Sequence, residues 1–229
     1  MNLIYRLKNI LFEPHTTLRY WLFIKLNFDN IYKKKFQKKF KILDFFVNLD
    51  TEKKMYLPQF HDLNNLIVTI QKLKPVSVLE FGGGYSTIAI AYALSENFKK
   101  FQINGKLYSY DQSNDYLDLT KSMIPKHLEK FVDFHYSELV LDKIDEIDVS
   151  LYKNLEIKKY DLIYEDRYDA HIRQTVCGDI LLLIKKTNYV PSIIFDGHWK
   201  SVFFHKKKLK NLYNISISKI FKRANFIKK

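Results

Sequence analysis

The most informative stretch of the chain is Val76-Ser77-Val78-Leu79-Glu80-Phe81-Gly82-Gly83-Gly84-Tyr85-Ser86-Thr87. Its apolar beginning predicts a strand, its three glycines predict a tight turn, and the alanine-rich residues 88–94 predict an amphipathic helix. Because glycine lacks a Cβ, such a turn can lie directly against a ligand. The helix directs unpaired N–H groups and the positive end of its dipole at the turn. The stretch therefore predicts a nucleotide-like cofactor at the first strand–helix junction of an α/β sheet.

The spacing of the glycines separates the common nucleotide-binding motifs. No Gly-Lys-Ser/Thr sequence follows them, which excludes a phosphate loop. A dinucleotide fingerprint requires a third glycine three residues after the second, and an acid about 20 residues further on. Thr87 stands at the third-glycine position, and the next strand-end acid, Asp111, lies 27 positions after Gly84. An NAD-dependent sugar-modifying oxidoreductase is therefore kept only as an alternative.

The segment Glu80-Phe81-Gly82-Gly83-Gly84 resembles the acid-x-Gly-x-Gly loop of class I S-adenosylmethionine (SAM) dependent methyltransferases. The particular points of likeness are the acid that ends the first strand and the Tyr-Ser-Thr sequence after the glycines. The likeness spans roughly residues 60–200 and is to a superfamily, not to one enzyme. It implies SAM as the cofactor, with Glu80 bound to its amino group directly or through water. The cofactor-binding residues that it implies in this loop are Glu80, Gly82, Gly83, Gly84, Tyr85, Ser86 and Thr87.

Hydrophobic periodicity predicts the elements that follow the glycine loop. Strands are predicted over 107–111, 131–136, 160–166, 192–196 and 213–220, and helices over 113–124, 170–186 and 199–212. The acidic stretch 138–148 is predicted to be irregular, with room for a short helix. Cys177 is the only cysteine, which excludes an internal disulfide, and is predicted to be a core residue of a helix. The alternation of strands and helices predicts an α/β fold with a doubly wound, mostly parallel sheet, which the resemblance makes a seven-stranded, Rossmann-like methyltransferase sheet.

Acids end four of the predicted strands, at Glu80, Asp111, Asp166 and Asp196. The resemblance implies that the Asp111 carboxylate accepts both ribose hydroxyls of SAM, and that Asp166 faces the methyl group and the substrate. It also places Glu138 near the adenine amine. The alternatives are helix capping for Glu80 and Asp111, and an ion pair with Arg167 or Arg173 for Asp166.

Methylation of a hydroxyl requires a group that removes its proton. Asp166, Asp196 and His198 are the candidate catalytic residues, and His171 is a further candidate base because histidine titrates near neutral pH. Trp199 follows directly and could stack on a ring. The sequence predicts methylation of a hydroxyl on a small molecule or saccharide.

Magnesium is the cofactor of one branch of the resembled superfamily. Catechol-type O-methyltransferases hold it with an acid that ends the fourth strand and an Asp-Asn pair that ends the fifth. This chain has Asp166 and Asp196, but Gly197 stands where the asparagine would be. Two oxygen ligands with waters could still hold magnesium, but no metal site is predicted.

Charge is concentrated at both ends of the chain. The formal net charge is +13: residues 1–54 carry +7, residues 55–197 carry −4, and residues 198–229 carry +10 without one acid. Basic ends attract anionic partners such as a membrane surface, an acidic glycan or nucleic acid. Nucleic acid is disfavoured, since 33 of the 38 basic residues are lysine and no Asp/Asn-Pro-Pro-aromatic signature follows the fourth strand. The alternative to an enzyme is an interaction module whose basic ends dock on an anionic surface while the cofactor site is vestigial.

Two domains are predicted: a basic helical N-terminal extension over residues 1–54 and a SAM-binding domain over 55–229. Within the extension, one helical face carries Phe36, Phe40, Leu43 and Val47. Such a face could lie on an anionic membrane, cap the sheet or pack on a partner subunit. The apolar residues 18–28 include Arg19 and Lys25 and are too short to span a bilayer, and the first residues lack the order of a signal peptide. A cytoplasmic location is expected, with peripheral membrane binding as an alternative.

Overall fold

A computed structural model describes residues 28–40, 58–167 and 175–229. Its helices are α1 (Phe28–Lys39), α2 (Phe60–Leu73), α3 (Tyr85–Phe101), α4 (Asn114–Met123), α5 (Asp179–Thr187) and α6 (Trp199–Leu209), with a 3-10 turn over Glu129–Phe131. Its strands are β1 (Ser77–Phe81), β2 (Lys106–Asp111), β3 (Val132–Tyr136), β4 (Leu139–Ile144), β5 (Ile147–Tyr152), β6 (Leu162–Glu165), β7 (Val176–Cys177), β8 (Ser192–Asp196), β9 (Tyr213–Ser218) and β10 (Arg223–Lys228).

The main sheet has seven strands in the order β3-β2-β1-β6-β8-β10-β9. The pairs β1–β2, β2–β3, β1–β6 and β6–β8 are parallel, and β10 is antiparallel to both of its neighbours. The predicted doubly wound, mostly parallel sheet is confirmed. From β1 the chain builds outward to β3 and then returns to place β6 on the other side of β1. In open α/β sheets, ligands bind at such a reversal, outside the carboxyl ends of the strands.

Consecutive residues of β1 face opposite sides of the sheet, and both sides are covered. Val78 packs in a core with helices α2 and α3, whereas Leu79 packs in a second core with α5 and α6. Both side chains are fully buried. A strand buried on both faces usually carries a continuous apolar run, which agrees with the apolar Val78-Leu79 at the middle of β1.

Helix α1 packs on the domain through its aromatic side chains. Phe36 and Phe40 are buried in the same core as α2, and the ring of Phe36 lies 5.7 Å from that of Phe60. This part of the predicted apolar face is therefore covered by the protein itself. Leu43 and Val47 lie outside the described residues. No helix among the described residues is long and apolar enough to cross a membrane.

The acidic stretch after β3 was predicted to be irregular, and this prediction is wrong. It forms an antiparallel hairpin of β4 and β5, and β5 pairs in parallel with β7 in a small second sheet. Asp145 and Glu146 turn the hairpin with φ values of 49° and 63°. A two-residue hairpin turn in which both residues have positive φ usually contains glycine or asparagine, so the sequence lacked the usual hairpin signal.

The helix predicted over 170–186 is shorter than expected. Helix α5 begins at Asp179, and Cys177 lies in β7, buried but not helical; residues 168–174 lie outside the described part. Gly178 separates the two elements: a Cβ there would lie 2.8 Å from Leu151 Cδ2, so a side chain would push β5 away. Strand β10 was not predicted at all.

Candidate functional site

A cavity of about 850 Å³ lies outside the carboxyl ends of β1, β2, β6 and β8. Pockets for cofactors and small ligands commonly measure about 300–1,000 Å³. Nine of the residues predicted for the site line it: Gly82, Gly83, Gly84, Tyr85, Ser86, Asp111, Asp166, Asp196 and His198. The topology of the sheet thus brings the predicted cofactor loop and the three predicted catalytic residues to one cavity.

The glycine loop packs directly against the segment that follows β6. Gly82 has φ +90°, and a Cβ there would lie 2.5 Å from the carbonyl oxygen of Asp166. Its N–H donates to the carbonyl of Tyr110 at 2.8 Å, which ties the loop to the end of β2. Only glycine satisfies both the backbone conformation and the space. The loop therefore sets the distance between the two halves of the cavity, the half beside β1 and β2 with Asp111 and the half beside β6 and β8 with Asp166 and Asp196.

Asp111 is held by the backbone at the end of β2. Its Oδ2 accepts the N–H of Gly83 at 3.0 Å, and its Oδ1 accepts the N–H of Ser113 at 2.8 Å. Burial raises the pKa of this carboxyl, and the backbone donors oppose the rise. A carboxylate has about four lone pairs, and the backbone N–H groups of Gly83, Gln112 and Ser113 bond to this one, so only part of its acceptor capacity remains for a ligand in the cavity.

Glu80 and Thr87 lie beneath the loop and do not line the cavity. Glu80 is fully buried, and its Oε2 accepts hydrogen bonds from Thr87 Oγ1 at 2.6 Å and Ser109 Oγ at 2.7 Å. Thr87 Oγ1 in turn accepts the N–H of Gly84 at 3.0 Å. Burial raises the pKa of Glu80 to about 7, against the lowering effect of these hydroxyls. The two residues support the glycine loop from below.

Two carboxyl groups face the other half of the cavity. Asp166 follows β6 and Asp196 ends β8, and the hydroxyl of Tyr164 donates to Asp196 Oδ2 at 3.0 Å. Burial and the nearby Asp196, Glu165 and other acids raise the pKa of Asp166 well above its ordinary range. Burial, with Asp62 nearby, raises the pKa of Asp196 to about 7. A carboxylate with a pKa near neutrality is suited to accept a proton from a substrate.

His198 lines the cavity, but both of its ring nitrogens contact protein atoms. Nδ1 lies 2.8 Å from Glu165 Oε1, and Nε2 lies 3.1 Å from the carbonyl oxygen of Thr175, to which it can only donate. Burial lowers the pKa of His198, but the neighbouring carboxylate of Glu165 raises it by a larger amount, so the net shift of the pKa is upward. A general base needs a free nitrogen, so this geometry favours Asp166 and Asp196 over His198 as proton acceptors. His171 lies outside the described residues.

Arg167 follows Asp166 directly and pairs with a different acid. Its guanidinium lies 2.6 Å from Asp179 Oδ2, and both side chains are almost completely buried. It also donates to the carbonyl and hydroxyl of Ser150 and stacks on the rings of Phe81 and Tyr152. The ion pair with Arg167, one alternative role predicted for Asp166, is therefore made by Asp179 instead, and Asp166 lines the cavity. The other predicted partner, Arg173, lies outside the described residues.

Glu138 lies away from the cavity. Its side chain is 61% exposed and forms an ion pair at 3.3 Å with Lys153, the residue that follows β5. The hairpin directs this side chain to its own neighbouring strand, since the backbone carbonyl of Glu138 also accepts the N–H of Lys153. The structure does not bring Glu138 together with the other predicted site residues.

Sequence reasoning missed the part of the cavity contributed by α2 and by the turn before β10. Asp62 lines the cavity, lies 3.2 Å from the guanidinium of Arg223 and 2.9 Å from His61, and His61 in turn contacts Asp29 of α1. Arg223 is 161 positions from Asp62. No spacing rule links residues so far apart, so the sequence carried no signal for this contact. Among the described residues, no group of three or more His, Cys, Asp or Glu side chains is arranged to hold a metal ion.

No protein-family model and no curated protein matches the sequence. Among solved structures, an O-methyltransferase from Bacillus cereus in complex with SAH is 15% identical with a TM-score of 0.54, over 82% of this chain and 89% of that one. A methyltransferase from Geobacter sulfurreducens is 11% identical with a TM-score of 0.55, over 84% and 90%. A Staphylococcus aureus protein provisionally named a caffeoyl-CoA O-methyltransferase is 14% identical with a TM-score of 0.60, over 89% and 100%.

The chain has the class I methyltransferase fold. The structural similarity spans most of both chains in each comparison, although the sequence identity is only 11–15%. This agrees with the sheet order and with the position of the cavity at the reversal of the sheet. The fold implied by the glycine loop is thus confirmed, and the chemistry must be argued from the site itself.

Proposed function

We propose that this protein is a SAM-dependent methyltransferase that acts on a hydroxyl group of a small molecule or saccharide. The observation that carries the proposal is the composition of one cavity. The glycine loop and Asp111 line one half, and Asp166 and Asp196 line the other. The solved structures of similar fold, one of them in complex with SAH, support the choice of cofactor.

The residues of the first half suit the proposed cofactor. Asp111 presents a carboxylate to the cavity as an acceptor for a ribose hydroxyl, and its position is fixed by the N–H groups of Gly83 and Ser113. Helix α3 begins beside it at Tyr85, so the positive end of the helix dipole faces the cavity. The cofactor site would thus be formed by Gly82, Gly83, Gly84, Tyr85, Ser86 and Asp111.

The residues of the second half suit binding and deprotonation of a hydroxyl. SAM, when bound, supplies a methyl group bonded to a positively charged sulfur. Asp196, with a pKa raised to about 7, accepts a hydrogen bond from the acceptor hydroxyl and takes its proton. Asp166 aligns the same hydroxyl from the end of β6, where its backbone packs on Gly82. Holding the hydroxyl in line with the cofactor supplies much of the rate enhancement.

His198 is assigned a positioning role. Its contacts with Glu165 and the carbonyl of Thr175 fix the first residue before α6. The turn Asp196-Gly197-His198 is thereby held at a defined distance from β6. Trp199 also lines the cavity and gives the acceptor an aromatic surface.

The first test is calorimetric titration with SAM and, separately, with S-adenosylhomocysteine (SAH). Asp111→Ala should weaken binding of both at least about tenfold, or about 1.4 kcal/mol. The matched control is Asp118→Ala, which removes an exposed aspartate of α4 that forms a surface ion pair with Lys121.

Three outcomes would count against the proposal. Absence of binding by folded protein would leave the interaction module with a vestigial site. Equal effects of the Asp111→Ala and Asp118→Ala variants would mean that Asp111 does not hold the cofactor. Thermal stabilisation by a nicotinamide cofactor, with none by SAM, would favour the oxidoreductase.

A further inference from the structure

Two lysines line the cavity at the end furthest from Asp111. Lys200 is in the first turn of α6, and Lys222 lies in the turn between β9 and β10. Asp111 ends β2, and the order β2-β1-β6-β8-β10 puts four strand spacings, about 19 Å, between it and the end of the cavity at β10. The lysines therefore belong to the part of the cavity left for the methyl acceptor.

The turn that carries Lys222 is fixed to the catalytic half of the cavity. The N–H of Gly197 donates to the carbonyl of Lys222 at 2.6 Å, and Arg223 pairs with Asp196 in the β8–β10 register. Phe221 packs on the ring of His61, with 5.3 Å between the ring centroids. Lys222 itself has φ +46°. These contacts hold the backbone of Lys222 at the rim of the cavity.

The charges around this end of the cavity favour an anion. Residues 198–229 contain ten basic residues and no acid. Among the described residues, the ammonium group of Lys222 has no carboxylate partner, whereas the one basic residue beside it, Arg223, is neutralised by Asp62. Asp166 and Asp196 lie further inside, and their raised pKa values reduce the negative charge that an anionic ligand would meet.

We propose that the methyl acceptor carries an anionic group, a phosphate or a carboxylate, which binds to Lys222 at the outer end of the cavity. This inference rests on the proposed methyltransferase function and specifies its substrate class. The hydroxyl to be methylated would face Asp166 and Asp196, and the anionic group would lie toward the β9–β10 turn. An ammonium group is a compact donor suited to either anion.

The test uses inorganic pyrophosphate as the probe, titrated into the full chain in the presence of saturating SAH. Saturable binding is expected, and Lys222→Asn should weaken it about tenfold, as expected for loss of one hydrogen bond to a charged group. Asparagine tolerates positive φ, so this variant preserves the turn. The matched control is Lys219→Asn, which removes an exposed lysine of the same turn that does not line the cavity.

The outcomes separate this inference from the proposed function. SAH affinity measured on the same samples should be equal in the wild type and the Lys222→Asn variant. If SAH fails to bind but pyrophosphate binding still depends on Lys222, the anion site stands and the cofactor assignment falls. No saturable binding of pyrophosphate, or equal weakening by the two lysine variants, would overturn the anion site, since the second result reports the basic surface as a whole.

Discussion

The two halves of the cavity are built in different ways. The cofactor half is formed by one continuous stretch, residues 80–113, and the hydrogen bonds that shape it involve backbone N–H groups of Gly82, Gly83, Gly84 and Ser113. The acceptor half joins α2, the ends of β6 and β8, and the turn before β10. Its segments are joined by the backbone pairing of β6, β8 and β10 and also by largely buried side-chain pairs, such as Asp62 with Arg223 and Glu165 with His198.

This difference has a consequence for how each half tolerates substitution. A backbone-built site depends on conformation, so most side chains in it can change as long as the glycines and the acceptor Asp111 remain. A site built from buried ion pairs depends on charge, because removing one partner leaves the other without compensation. In the acceptor half, a substitution of one ion-pair partner should therefore be tolerated only when the other partner changes with it. In the cofactor half, single side-chain substitutions should be tolerated.

The strongest test of the comparison is Arg167→Met. The variant leaves Asp179 buried without its ion-pair partner, so the free energy of unfolding should fall by about 3–5 kcal/mol. The double variant Arg167→Met/Asp179→Leu should recover part of the loss. Urea denaturation measures both. Lys121→Met, which breaks an exposed pair, should cost less than about 1 kcal/mol; a similar loss in both single variants would mean that burial of the pair does not matter.

The second test compares glycines of the two halves. Gly82→Ala should destabilise the protein by about 3 kcal/mol, since it combines left-handed strain with a contact of 2.5 Å to the Asp166 carbonyl. Gly197→Ala carries the strain of φ +75° alone, because nothing lies within 4 Å of its Cβ, and should cost about 1 kcal/mol. Thermal denaturation and SAH titration check both variants. Retention of SAH binding by Gly82→Ala would show that the two halves of the cavity need not be in close contact.

The third test concerns pH. The pKa of Glu80 is about 7 in the folded protein, against an ordinary value of 4.5. The native state therefore binds more protons than the unfolded state between these values, and stability decreases as pH rises from 4.5 to 7. The Glu80 contribution to this decrease is about 2–3 kcal/mol. Glu80→Gln should remove it, so denaturation curves of the variant should depend less on pH; an unchanged slope would assign the dependence to other acids.

The smallest effect is expected at Glu138. Because both side chains of the Glu138–Lys153 ion pair are exposed to solvent, Glu138→Gln should change the free energy of unfolding by less than about 0.5 kcal/mol. SAH affinity should be unchanged. A several-fold loss of SAH affinity would show that the hairpin moves Glu138 to the cofactor, as the resemblance implied.

The cofactor half could be predicted from the sequence because its causes are local. A glycine at φ +90°, a buried strand and an acid at the end of the next strand each leave a mark within a few residues. The assignment of Asp111 to the cavity followed from counting strands. Asp166 and Asp196 could be placed for the same reason, since parallel strands bring their carboxyl ends to one edge.

The rest depends on contacts that no short pattern encodes. The hairpin of β4 and β5 turns at Asp145 and Glu146 without glycine, and β4 exposes the apolar Val140 and Leu141 next to each other, so no alternation of apolar and polar residues marked it as a strand. The partner of Arg167 lies in a helix whose start is set by packing of Gly178 against β5. Asp62 reaches the cavity only because α2 packs beside β10, and β10 itself was not predicted.

The contact between Asp62 and Arg223 also bears on how the protein is made. A ribosome that has released residues up to about 200 has already emitted the glycine loop, Asp111, Asp166 and Asp196. It has not yet released Lys222 or Arg223, so Asp62 has no ion-pair partner until a residue 161 positions later has been synthesised. The nascent chain can therefore assemble the cofactor half first, and the acceptor half is completed only when β10 enters the sheet. Termination of synthesis between residues 200 and 222 would yield a protein with the cofactor residues but without this wall of the acceptor site.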